Sequence, residues 1–126
     1  MNWTTVLVGL AVVAAFFWLR RASQISTTDA LEYLKKGALV IDVRTPGEFA
    51  SGHLANAINL PLDQIEASIP RRVRDKDQVL LLHCQSGMRS GVARKRLRAL
   101  GYANAFNLGS YARAAQIVNK RFATFG

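Results

Sequence analysis

The chain has 126 residues, with 17 lysines and arginines against 8 aspartates and glutamates, and a formal net charge of +9. That length allows one ordinary domain, and a hydrophobic share of 50% argues against wholesale disorder. A single cysteine excludes an internal disulfide. One cysteine and two histidines without a carboxylate-rich cluster do not suit a structural zinc site, and no cofactor is expected. No stretch repeats, which excludes solenoids.

From Asn2 to Leu19 there is no charged residue. As a helix this run spans roughly 27 Å, against a hydrocarbon core of about 30 Å. Snorkelling end residues close such a gap. Trp3 and Trp18 bracket the run as interfacial aromatics do. Two other readings compete. A secretory signal places positive charge before its apolar run and small residues after it. Here Arg20 and Arg21 follow the run, and Phe16-Phe17-Trp18 stands where small residues belong. A buried core helix is rarely apolar on every side. The expectation is therefore one transmembrane helix over 2–19. Arg20 and Arg21 then place the N-terminus outside and the following domain in the cytoplasm. Gly9 offers a small-residue packing surface, a pattern common by chance.

The remainder, residues 22–126, carries 15 basic and 8 acidic residues and is long enough for its own core. Basic charge concentrates in Arg71-Arg72-Val73-Arg74 and Arg94-Lys95-Arg96-Leu97-Arg98. Such clusters fit anionic lipid, an anionic substrate or nucleic acid, or are simply solvated helix faces. No aromatics interleave with them, so nucleic acid is not expected as a partner. Acidic headgroups suit a membrane-tethered domain better.

Ser26 to Gly37 reads as a helix, with Ser26 as cap, Asp29 in the first turn, Lys35 and Lys36 in the last and Gly37 as stop. Leu39 to Val43 is a short β-branched run suited to a strand buried on both faces. Thr45-Pro46-Gly47-Glu48 opens a short helix with a capping box, closed by Gly52. Ala57 to Leu60 is a second short strand. Leu62, Ile65 and Ile69 mark another short helix. Val79 to His83 is the strongest strand and runs into Cys84-Gln85-Ser86-Gly87-Met88-Arg89-Ser90. Ala93, Leu97 and Leu100 then recur at helical spacing. Ala105 to Leu108 is a last strand, and Tyr111, Ala115, Val118 and Phe122 mark the buried face of a closing helix. Strands alternating with helices predict an α/β domain with a mostly parallel sheet. Sites in such sheets lie beyond the carboxyl ends of the strands, where Cys84 stands.

A loop of this kind wraps a thiol between a strand end and a helix start at about Arg89 or Ser90. Loop amides, the helix dipole and Arg89 all favour an anion there, so the thiol should ionise more readily than usual. Such a loop makes a nucleophilic thiolate or cradles an anion. A buried, inert cysteine is the plainer alternative. His83 could act as a general base, but alternation along a strand turns its ring away from Cys84.

The soluble part resembles the rhodanese domain in its single-domain sulfurtransferase form. Cys84 to Ser90 matches that family's Cys-x-x-Gly-x-Arg-Ser/Thr loop. Ile41 to Arg44, Glu48-Phe49, Gly52-His53-Leu54, Ala57 to Pro61 and Phe106-Asn107-Leu108 fall in the family's order. The resemblance covers about residues 24–108. With the apolar head, the chain is similar to membrane-bound single-domain rhodaneses of bacteria. The resemblance implies that Cys84 attacks the outer sulfur of thiosulfate or another sulfane-sulfur donor and becomes a persulfide. A small thiol, a dithiol protein or cyanide then takes that sulfur. Gln85, Ser86, Gly87, Met88, Arg89 and Ser90 would bind substrate and cradle the persulfide, with Arg89 binding the anionic donor. Asp42 and Arg44 would support the site as a structural pair. Glu48 and His53 read as cap and turn residues first.

Two departures stand out. After Leu108 the family's Gly-Gly and following Trp are replaced by Gly109-Ser110-Tyr111, and no second cysteine exists to resolve a persulfide. Two alternatives remain. Cysteine phosphatases and arsenate reductases share the electrostatics but place five residues between Cys and Arg, where this chain has four. A non-catalytic docking module would keep the fold without the chemistry.

Overall fold

Why the apolar runs alternate with helices becomes plain in the computed structural model, which describes residues 2–125 without the side chains of 20–22 and 123–125. In chain order the elements are α1 (Trp3–Ala22), α2 (Thr27–Lys35), β1 (Leu39–Asp42), α3 (Pro46–Ser51) and β2 (Ile58–Asn59). A 3-10 turn (Leu62–Gln64) leads into α4 (Ile65–Arg72), β3 (Leu80–His83), α5 (Met88–Ala99), β4 (Ala105–Gly109) and α6 (Tyr111–Phe125). The four strands form one sheet in the order β2-β1-β3-β4. Every pairing is parallel, with Leu39 to Asp42 in register with Leu80 to His83.

Strand side chains alternate between faces, and the core divides accordingly. Ile41, Val43, Leu80, Leu82 and Cys84 pack against Ile65 and Ile69 of α4 and Ala93 and Leu97 of α5. Val40, Leu81 and Leu108 pack against Ala30 and Leu34 of α2 and Ala114, Ile117 and Val118 of α6. The predicted caps form as read. Ser26 Oγ accepts from the Asp29 amide at 3.1 Å, and Thr45 and Glu48 exchange both bonds of a capping box.

Three expectations need correction. The second strand is shorter than Ala57 to Leu60, because Pro61 cannot donate to a ladder. On α6 the expected Val118 is buried and Tyr111 and Ala115 are partly buried against the same cluster, but Ala114 and Ile117 complete the stripe and Phe122 is 45% exposed. The transmembrane span expected over 2–19 is not found: among the described residues no helix is long and apolar enough to cross a membrane. The uncharged part of that helix, Trp3 to Leu19, rises roughly 26 Å, so a core of about 30 Å would have to take in the charged Arg20 and Arg21 that follow it. The helix itself is present, and its large apolar side chains from Trp3 to Leu19 lie exposed, outside both core clusters.

Candidate active site

Strand β3 ends at His83 and delivers Cys84 to the carboxyl rim of the sheet. Gln85, Ser86 and Gly87 turn the chain, and α5 starts at Met88, one residue before the predicted start. Gly87 has φ of 93°, a conformation that favours glycine. A Cβ there would also stand 3.3 Å from Gln24 Nε2 and from the Gly109 carbonyl carbon. The turn thus requires glycine for backbone and for space.

The thiol is enclosed by donors. The Gly87 amide donates to Cys84 Sγ at 2.9 Å, and Ser90 Oγ lies 3.6 Å from the sulfur. Burial pushes the thiol up, but the Ser90 hydroxyl and the Ser90, Gly87 and Ser86 amides outweigh it, and the net shift is downwards. Cys84 has no exposed surface, while Gln85, Ser86 and Met88 at the rim are exposed. Strand β4 holds the loop from behind. Cys84 donates its amide to the Gly109 carbonyl, and Tyr111 donates to the Gln85 carbonyl, each at 3.3 Å.

Asn107, which the sequence placed only in the last strand, proves central. Its Oδ1 accepts from Ser90 Oγ at 2.7 Å and from the Gly109 amide at 2.9 Å. Its Nδ2 donates to the Gly87 carbonyl at 3.1 Å. One buried side chain thus ties Gly87 and Ser90 of the loop to β4.

Arg89 faces a carboxylate from the neighbouring helix α3. Its Nη1 and Nη2 donate to the two carboxylate oxygens of Glu48 at 2.7 and 3.0 Å. The Arg89 bonds, then the Thr45 amide, draw the Glu48 carboxyl down to about 2. Asp42 and Arg44 form a buried pair: Arg44 Nε reaches both Asp42 oxygens at 3.0 Å, and Nη2 reaches Oδ2 at 2.7 Å. Arg44 Nη1 also donates to Gln85 Oε1 at 3.4 Å, touching the loop.

His83 lies on the opposite face from Cys84, its ring edge against Tyr111. Its Nδ1 is 3.2 Å from the Cys84 carbonyl, and its Nε2 stands 3.7 Å from Asp42 Oδ2. Burial lowers its pKa despite Asp42. His53 stacks on Phe49, ring centroids 3.8 Å apart, at the end of α3. Among the described residues no group of three His, Cys, Asp or Glu is arranged to hold a metal ion.

The comparisons agree with this geometry. The family described as Rhodanese-like domain matches residues 26–113. Thiosulfate sulfurtransferase PspE of Escherichia coli is 36% identical over 69 residues, covering 55% of this chain and 66% of PspE. The match therefore spans just under two thirds of that relative. The uncharacterized protein YqhL of Bacillus subtilis is 33% identical over 97 residues, covering 77% of this chain and 75% of YqhL. The human single domain sulfurtransferase TSTD1 superposes with a TM-score of 0.62 at 26% identity, over 75% of this chain and 96% of that one. The chain belongs to the rhodanese-like domain family.

Proposed function

We propose that the protein is a sulfurtransferase that carries sulfane sulfur on Cys84. The observation behind this reading is the Gly87 amide aimed at Cys84 Sγ from 2.9 Å, within a loop whose hydroxyl and amides favour the thiolate. The thiolate attacks the outer sulfur of thiosulfate or of a persulfide, a new S–S bond forms, and sulfite or a thiolate leaves with the electron pair. The loop amides then hold the terminal sulfur. With no second cysteine in the chain, an external thiol, dithiol or cyanide attacks that sulfur and restores the thiolate. Asp42 and Arg44 hold the rim of β1 in shape through buried bonds. PspE, a relative named for thiosulfate sulfur transfer, supports sulfur transfer as the reaction.

The test is intact mass after incubation with thiosulfate. One added sulfur atom, removed by cyanide or a dithiol and absent in Cys84→Ser, is the expected result. A folded chain that gains no sulfur from thiosulfate or from a persulfide overturns the reading in favour of a docking module.

We also propose that the exposed helix α1 attaches the domain to a lipid bilayer. Ten large apolar side chains from Trp3 to Leu19 lie more than half exposed, and such a surface is seldom left open to water. Arg20 and Arg21 in the sequence support attachment at the anionic cytoplasmic leaflet. Trp3 and Trp18 are the only tryptophans, so a blue shift of emission on adding anionic vesicles reports attachment. Unchanged emission, or cleavage of the domain by protease outside intact cells, counts against this arrangement.

A further inference from the structure

Which donor the site takes can be argued from charge, given that the sulfurtransferase reading holds. Two guanidinium groups flank the catalytic loop, and each already faces a carboxylate. Arg44 makes three side-chain bonds to Asp42. Arg89 makes one bond to each Glu48 oxygen. The groove beside Arg89, about 310 Å³ in volume, is also lined by Asp63 and Arg96, and Arg96 faces the Glu66 carboxylate at 3.6 Å. The groups that address Sγ include the Gly87 amide and the Ser90 hydroxyl, joined by the Ser86 and Ser90 amides, dipoles rather than full charges.

A thiosulfate dianion arriving at this loop meets neither guanidinium free. To pair with Arg89 it must draw the side chain off Glu48, and it then leaves a carboxylate beside two negative charges. Like charges so placed are costly and select against the ligand that brings them. The Arg44 pair offers no alternative, because both partners are buried. Arg89 and Glu48 are each about one third exposed, at 36% and 34%, so theirs is the pair a ligand can contest.

We propose that Glu48, by occupying Arg89, is a specificity-determining residue that turns the site away from dianionic donors and towards organic persulfides. For such a donor, R–S–SH, the Cys84 thiolate attacks the outer sulfur. A bond forms between Cys84 Sγ and that outer sulfur, the donor's own S–S bond breaks, and R–S⁻ leaves with the electron pair. The hydrogen stays on the transferred sulfur, and no oxidant or reductant is needed. The leaving group carries one charge, and none of it needs Arg89.

The experiment uses the full chain and its Glu48→Gln variant. Glutamine preserves the capping box that starts α3 but removes the charge. Loading of Cys84 is followed by intact mass under single-turnover conditions, with thiosulfate and with the persulfide of 2-mercaptoethanol as donors. The ratio of the two loading rate constants, thiosulfate over persulfide, should rise about tenfold in Glu48→Gln. The thiosulfate arm of the variant should also weaken more steeply with added salt. A role in capping alone moves both donors together, so an unchanged ratio overturns the proposal. A ratio that falls also overturns it, since Glu48 would then assist thiosulfate. Native protein that loads from neither donor defeats the sulfurtransferase reading itself, a result distinct from both.

Discussion

Two arginine–carboxylate pairs border the same loop, and they are built differently. Asp42 and Arg44 sit two residues apart at the end of β1, both buried, with Arg44 Nη2 also donating to the Gly52 carbonyl at 2.8 Å. Asn59 Nδ2 holds the carbonyls of both residues at 3.0 Å. Glu48 and Arg89 come from α3 and α5, 41 positions apart, and meet at the half-open rim. Water can replace either partner of the second pair but cannot reach the first. The buried pair therefore fixes the shape of the rim, and the open pair is free to respond to a ligand.

The largest effect that tests this contrast is on stability. Arg44→Ala leaves the Asp42 carboxylate buried without its partner, and breaking a buried pair in this way costs about 3–5 kcal/mol. Arg89→Ala removes an exposed pair worth about 1 kcal/mol or less. Urea unfolding of the two variants measures both. Equal losses would show that the two pairs do not differ as their burial suggests.

Much of the sheet was legible in sequence because its signals are local. Ser26, the Thr45–Glu48 box and Gly87 act through bonds within a few residues of themselves. β1 and β3 are apolar runs too short to be helices, and β1 carries β-branched Val40 and Ile41. The Asp42–Arg44 pair was legible for the same reason, since two residues at one strand end share a rim. Glu48 could be read as a cap but not as the partner of Arg89, because that contact depends on how α3 and α5 pack. Asn107 was missed for a related reason. Its three bonds run to Gly87, Ser90 and Gly109, and only the β3–β4 pairing brings the first two within reach. An asparagine inside an otherwise apolar strand was the available signal, since a buried amide needs partners. The apolar head was legible as a helix, but among the described residues no helix is long and apolar enough to cross a membrane.

A middle-sized effect belongs to the loop that both pairs border. Asn107→Ala strands the Gly109 amide, the Gly87 carbonyl and the Ser90 hydroxyl at a buried site, which should cost on the order of 2 kcal/mol. Ser90→Ala asks the electrostatic question more directly. The Ser90 hydroxyl favours the thiolate, so removing it should move the midpoint of Cys84 alkylation against pH upwards. A midpoint that stays or falls would mean the amides alone hold the thiolate. In either variant the rim pairs remain, so a change in the Glu48→Gln donor ratio is not expected from Ser90→Ala.

The smallest effect is the pH dependence of the open pair. Glu48 titrates near 2 in the folded chain instead of its ordinary 4.5. A carboxyl held low when folded contributes stability that is fully present above its unfolded value. That contribution is lost as pH falls from about 4.5 through about 2. Exposure of about one third keeps it small, and other carboxylates titrate in the same window. The informative quantity is therefore the stability difference between the native chain and Glu48→Gln, which should shrink across that window and stay flat above it. The Thr45 amide also lowers the Glu48 carboxyl, so in an Arg89→Ala background the difference should shrink over a narrower and less acidic window. A difference that does not change between neutral pH and pH 2 would mean that water already screens the pair. Arg89 would then be as available to an anion as the sequence alone suggested.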